Sequence, residues 1–130
     1  MPTIPEKIAG RISTMYVRED GILQIDLSDN ELFSLEDAFE IIKNAEVLGG
    51  GKKFLNLIVA GKGTMVDEAA RKYSSSVEGC KYKLADAFVL NSLAQKLIGN
   101  FIIKINKPAV PTAIFTDIEE AVKWLKSLEV

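Results

Sequence analysis

The run Lys83-Leu84-Ala85-Asp86-Ala87-Phe88-Val89-Leu90-Asn91-Ser92, continued by Leu97-Ile98-Gly99-Asn100-Phe101, decides the fold of this chain. From Leu84 to Leu128 the sequence reads as strand, loop, helix, Pro-bounded loop, strand and helix. Ala85 to Leu90 is a short apolar run that suits a central strand. Ser92-Leu93-Ala94-Gln95 follows as a capping box, opening a helix that runs to about Ile105, where Lys107-Pro108 forbids continuation. Ala113-Ile114-Phe115 is the last strand. Thr116-Asp117-Ile118-Glu119 caps a final helix whose inward stripe is Ile118, Ala121, Val122, Leu125 and Leu128, with Lys123 and Lys126 well placed near its C-terminal end.

Working outward, a Pro-punctuated start gives way to two strand-like runs, Arg11 to Val17 and Gly21 to Leu27. They are joined by Glu19-Asp20-Gly21, where Asp-Gly supplies the positive φ angles of a tight hairpin. Ser34-Leu35-Glu36-Asp37 opens a helix with a hydroxyl cap and a first-turn carboxylate; Leu35, Ala38, Phe39, Ile42 and Ala45 follow at helical spacing, and Gly49-Gly50-Gly51 ends it. Phe54 to Val59 reads as a strand covered on both faces, a parallel-sheet signal. A second helix is expected near Thr64, with Asp67 at the capping-box position and Val66, Ala69, Ala70, Tyr73 and Val77 as its buried stripe. The expected architecture is an α/β layer fold: one mixed five-stranded sheet and four helices in the order β-β-α-β-α-β-α-β-α, in a single domain over residues 1–130.

Composition agrees with one compact domain: 130 residues, 48% apolar and 26% charged. Sixteen Lys plus Arg against 18 Asp plus Glu leave a net charge of -2, which offers no long-range attraction for a polyanion, so nucleic acid is not an expected partner. The single Cys80 excludes an internal disulfide, and Met1 to Lys7 carries no charged-then-apolar leader; a cytoplasmic location is the expectation. The apolar runs Ala85 to Leu93 and Leu97 to Ile103 are far shorter than the roughly 20 residues that span a bilayer.

The element order, with Asn91 to Phe101, Asn106-Lys107-Pro108, Phe115-Thr116-Asp117, Glu119-Glu120-Ala121 and Trp124-Leu125, resembles the small bacterial STAS-like domains of the SpoIIAA-like fold. These also look like the CRAL-TRIO lipid-binding architecture. The resemblance implies a binding or regulatory module. The anti-sigma-factor antagonist branch of that fold carries a phosphorylatable Ser in an Asp-Ser-Ser-Gly-like turn after the third strand. Here the turn reads Ala60-Gly61-Lys62-Gly63-Thr64-Met65, without that motif, and Thr64 alone offers a hydroxyl. Its ordinary role would be a helix N-cap; the alternative is a phosphorylation-controlled partner switch.

The chain has no histidine, the side chain that most often moves protons or binds transition metals at neutral pH, and no metal or cofactor is expected. Cys80 has only Lys81 and Lys83 nearby to activate it, and reads as an unreactive thiol. Asp26 and Asp86 read as lone acids near strand ends, solvated or capping. Gly49-Gly50-Gly51-Lys52-Lys53 precedes a strand, the reverse of a phosphate loop, whereas Gly61, Lys62, Gly63 and Thr64 have the strand-to-helix context in which free amides and a lysine hold an anion.

In the third helix Lys96, Asn100, Lys104 and Lys107 form one polar stripe beside a wide apolar sector of Leu97, Ile98, Phe101, Ile102 and Ile105, with Ile103 angled toward the stripe as an exposed contact point. So broad a sector exceeds what one sheet covers. The readings it leaves open are a core helix with a solvated basic edge, self-association as a homodimer, docking of a protein partner, or peripheral contact with lipid or a small apolar or anionic ligand. The leading expectation is a non-enzymatic binding or regulatory module.

Overall fold

The structure, a computed structural model, describes residues 7–130; the Pro-punctuated start lies outside the described residues. The chain runs β1 (Lys7–Ala9), β2 (Ser13–Val17), β3 (Leu23–Leu27), β4 (Leu32–Phe33), α1 (Leu35–Gly49), β5 (Phe54–Val59), β6 (Met65–Val66), α2 (Glu68–Ser75), β7 (Lys83–Val89), α3 (Leu93–Asn106), β8 (Thr112–Phe115) and α4 (Ile118–Ser127). The main sheet has the order β1-β2-β3-β5-β7-β8. Its first three strands are antiparallel and the rest parallel, with Ile25 opposite Ile58, and Ile58 opposite Phe88. The α/β mixed sheet under four helices is the expected fold, with one strand more than expected. β1 adds the sixth strand, and β4 and β6 form a separate parallel two-stranded ladder.

Helix starts follow the caps in the sequence. Ser34 and Asp37 form a reciprocal capping box, and α1 ends at Gly50 in the left-handed region (φ 60), a conformation glycine adopts without a Cβ penalty. Ser92 caps α3 by accepting from the Gln95 N–H, while the Gln95 side chain reaches back to the Asn91 amide. The second helix departs from expectation. Its N-cap is Asp67, not Thr64, because Met65 and Val66 are pulled into extended pairing with Leu32 and Phe33. The stripe expected for it is correspondingly thinned: Ala70 is fully buried and Tyr73 half-buried, whereas Val66 and Val77 stand in solvent.

Alternation along the strands builds two unlike faces. On one, Leu57, Ala85, Ala87 and Val89 pack with Ile22 against Ala121 and Leu125 of α4. Alanines on both sides let that helix sit close, and Leu125 has no exposed surface. Phe115 and Trp124 extend this layer with ring centroids 5.8 Å apart. The other face carries Met15, Leu23, Ile25, Phe54 and Ile58 against Ala45 and Leu48 of α1. α2 stacks on α1 through Ala70, Ala38 and an edge-on pair of Phe39 with Tyr73 at 4.8 Å. α3 lies on the same face over β8 and approaches most closely at Gly99, where a Cβ would collide with the Ile114 Cδ1. No α3 residue is fully buried.

Arg11 ties the β1–β2 corner to α1: its Nε and Nη2 donate to the two Asp37 carboxylate oxygens at 2.9 and 2.6 Å, and its Nη2 also donates to the Leu32 carbonyl. Arg11 and Ser34 hydrogen bonds outweigh burial and hold the Asp37 carboxyl at about 2. A folded-state pKa below the unfolded one adds stability above the ordinary carboxylate range and loses it as pH falls through that range toward 2. Urea unfolding between pH 7 and pH 3 is therefore expected to show a steep loss of stability that Asp37→Asn flattens, at a cost of about 1–3 kcal/mol at neutral pH; an unchanged pH slope in the variant counts against this role.

Candidate functional site

Because α1, with α2 stacked on it, packs over Ile25 and Ile58 while α3 stands over β8, the sheet between them is left uncovered and a cleft opens. The cavity measures about 380 Å³. This lies in the roughly 300–1,000 Å³ range of small-molecule sites. Ile25, Ile58, Phe88 and Ile114 pave its floor, Ile41, Ile42 and Ala45 of α1 form one wall, and Ile98, Ile102 and Ile103 of α3 the other.

One end of this apolar trough is polar. Asn56 and Asp86, neighbours in the β5–β7 register, both point into it and are 3% and 4% exposed. The Asp86 carboxylate accepts from Asn56 Nδ2 at 3.0 Å and from the Lys83 ammonium at 2.8 Å. Lys83 Nζ also donates to the Ser74 carbonyl at 3.0 Å, and the Cys80 thiol reaches the same oxygen at 3.3 Å. Ser74 lies in the last turn of α2, so the ammonium meets a carbonyl at the helix end where a cation is favoured. Burial works against the ammonium, but attraction and hydrogen bonding from Asp86 prevail and raise the Lys83 pKa. Burial first, and Asp86 second to it among the groups that disfavour a thiolate, push the Cys80 thiol up despite Lys83, so Cys80 is a quiet thiol.

Two polar atoms on residues that line the cleft lack a partner. Three buried side-chain atoms among the described residues make no hydrogen bond, and two of them, Asn56 Oδ1 and Arg71 Nε, belong to residues lining the cleft. The Asn56 amide cannot turn to relieve itself, since a carboxylate only accepts and demands the Nδ2 side. An acceptor and a donor are thus presented, unmet, beside an apolar trough. Leaving such groups unmet costs about 1–3 kcal/mol each.

Of the expected site residues, Thr64 and Ile103 line this cleft, and the others fall elsewhere. Gly61 to Thr64 do not open a helix, and the turn is already engaged: the Lys62 amide donates to Asp29 Oδ1 at 2.7 Å, the Thr64 amide to the Gly61 carbonyl, and the Thr64 hydroxyl to the Ser28 carbonyl at 2.7 Å. Gly61 is there for space, because a Cβ would meet the Leu27 and Ser28 backbone at 2.5–2.6 Å. The free helix-start amides expected at this turn are therefore absent from it, and a carboxylate stands where an anion would sit. Ile103 turns toward the cleft instead of solvent, while Asn100, Lys104 and Lys107 are exposed and Lys96 is half-buried. Asp86 is no solvated strand-end acid; Lys83, three residues earlier at the start of the same strand, was the signal for its partner. Among the described residues no group of three or more His, Cys, Asp or Glu is placed to hold a metal ion.

The arrangement places this chain among SpoIIAA-like folds. A crystal structure of an uncharacterised DUF3478-family protein with a SpoIIAA-like fold from Shewanella loihica PV-4 superposes with a TM-score of 0.60 at 15% identity, over 91% of this chain and 98% of that one. Residues 15–129 match the family described as domain of unknown function DUF7793, and the chain belongs to that family. A protein of unknown function from Arthrobacter sp. FB24 is a more distant likeness, with a TM-score of 0.28 at 19% identity over 85% of this chain and 90% of that one. No curated protein matches the sequence.

The Lys83–Asp86 pair makes a sharp stability test. Asp86→Leu strands a buried ammonium and is expected to destabilise by about 3–5 kcal/mol, whereas Lys83→Met with Asp86→Leu recovers most of that loss. Chemical denaturation of the two variants checks this; equal stability of the single and double variants rules out the coupling.

Proposed function

We propose that the protein is a non-enzymatic binding module whose cleft takes a small amphipathic ligand, apolar in its body and carrying one head group that both donates and accepts a hydrogen bond. The observation that carries this reading is that two residues lining the cleft, Asn56 and Arg71, each hold a buried unmatched atom, Oδ1 and Nε, beside walls of isoleucine. A hydroxyl group, or a carboxyl group that keeps its proton, carries both the donor that Asn56 Oδ1 needs and the acceptor that Arg71 Nε needs. The Arg71 and Lys83 cations against the single Asp86 carboxylate disfavour a cationic head. Binding of this kind is recognition without bond making. The ligand's apolar body would be held by burial at roughly 25 cal/mol per Å² of surface removed from water.

Native mass spectrometry of the purified protein is expected to reveal a retained small molecule, and displacement of a bound fluorophore, 1-anilinonaphthalene-8-sulfonate, by decanoic acid or 1-decanol reads the site directly. Methyl decanoate, which cannot donate to Asn56 Oδ1, is expected to displace it at least about fivefold less well, a preference that Asn56→Leu removes. Ile103→Trp, which fills the cleft, should abolish displacement. Absence of any retained molecule together with failure of all three compounds to compete ends this reading.

A further inference from the structure

The face of α3 that does not wall the cleft is its most apolar one. Leu93, Leu97, Phe101 and Ile105 follow at intervals of four, and each is between 63% and 68% exposed. These positions form a continuous ridge along the outside of the helix, the spacing that places side chains one above another. An unbroken apolar ridge of this length on a small protein marks a contact surface.

Charge identifies the occupant. Between Asp86 and Asp117 the sequence contains no Asp or Glu, yet it carries Lys96, Lys104 and Lys107, in a chain whose net charge is -2. By helical angle Lys96 and Lys104 border the ridge on one side and Lys107 caps the end of the helix, and none is in an ion pair among the described residues. A second copy of this chain docked ridge to ridge would bring two lysine borders together without a carboxylate on either helix to neutralise them. Anionic lipid headgroups supply that countercharge, and the boundary between headgroups and acyl chains accepts large apolar side chains. No helix among the described residues is long and apolar enough to cross a membrane, so the contact is interfacial.

We propose that the outer face of α3 rests on an anionic bilayer surface, with Leu97 and Phe101 entering the acyl boundary and the lysines meeting headgroups. The contact uses residues that do not line the cleft floor, and it stands whatever the cleft holds. α3 docks on the sheet without a fully buried residue of its own. Its outer residues are therefore open to substitution without disturbing the core.

Flotation of the full chain with vesicles tests this. Binding is expected to vesicles of phosphatidylglycerol mixed with phosphatidylcholine, to vanish on phosphatidylcholine alone, and to fall as NaCl rises from about 0.1 M to about 0.5 M. Leu97→Asp with Phe101→Asp should release the protein from the vesicles, with an unchanged far-UV circular dichroism spectrum. Lys104→Glu with Lys107→Glu, a pair that leaves the ridge untouched, should weaken binding at least about fivefold per lysine replaced. No binding to the anionic vesicles, equal binding to both compositions, or binding unaffected by the lysine pair overturns the proposal. So does a dimer in native mass spectrometry that Phe101→Asp dissolves while vesicle binding is absent.

Discussion

The structure depends on the requirement that the parallel strands β5 and β7 be covered on both sides, with each side met differently. On the α4 side the strands present Ala85, Ala87 and Leu57, small or flat enough for one helix to lie against them and close the layer. On the other side they present Asn56, Ile58, Asp86 and Phe88, and here three helices share the work without meeting over the middle. A parallel sheet with one tight layer and one parted layer is a sheet with a trough. The trough's depth follows from the same alternation that hides Leu57 and Leu125 completely.

That division also explains why charged groups are tolerated so deep. A lysine and an aspartate within a sheet face contribute little net stability, since desolvation of both consumes most of their attraction. Their value here is positional. Lys83 joins β7 to the end of α2 through the Ser74 carbonyl, and Asp86 joins β7 to β5 through Asn56, so the polar end of the trough is fixed by strands and not by loops. Groups held this way present their remaining atoms in one orientation.

The helix boundaries and the central strands were legible in the sequence because they rest on local rules. Ser34 with Asp37, Ser92 with Gln95, and the glycines after α1 are recognisable within a few residues, and each works as read. Features that rest on distant pairing were not. Met65 and Val66 look like the first turn of a helix until Leu32 and Phe33 draw them into a strand, and β1 needs β2 as its template. The helix start expected after Gly61 was missed for the same reason, since Asp29 and Ser28, more than thirty positions earlier, hold that turn. On α3 the breadth of the apolar sector was visible, but which part of it faces inward was not; the sheet chose Gly99, Ile102 and Ile103, leaving the larger side chains outside. Arg71 and Asn56 carried no motif, because an orphaned atom is a property of packing alone.

Gly99 deserves a different reading in this light. It is the place where α3 comes down onto Ile114, and its absent methyl works as a shim removed from beneath a beam. Any larger residue there would press on Ile114 in the bed and lift one bank of the channel, so a single position sets how wide the channel stands.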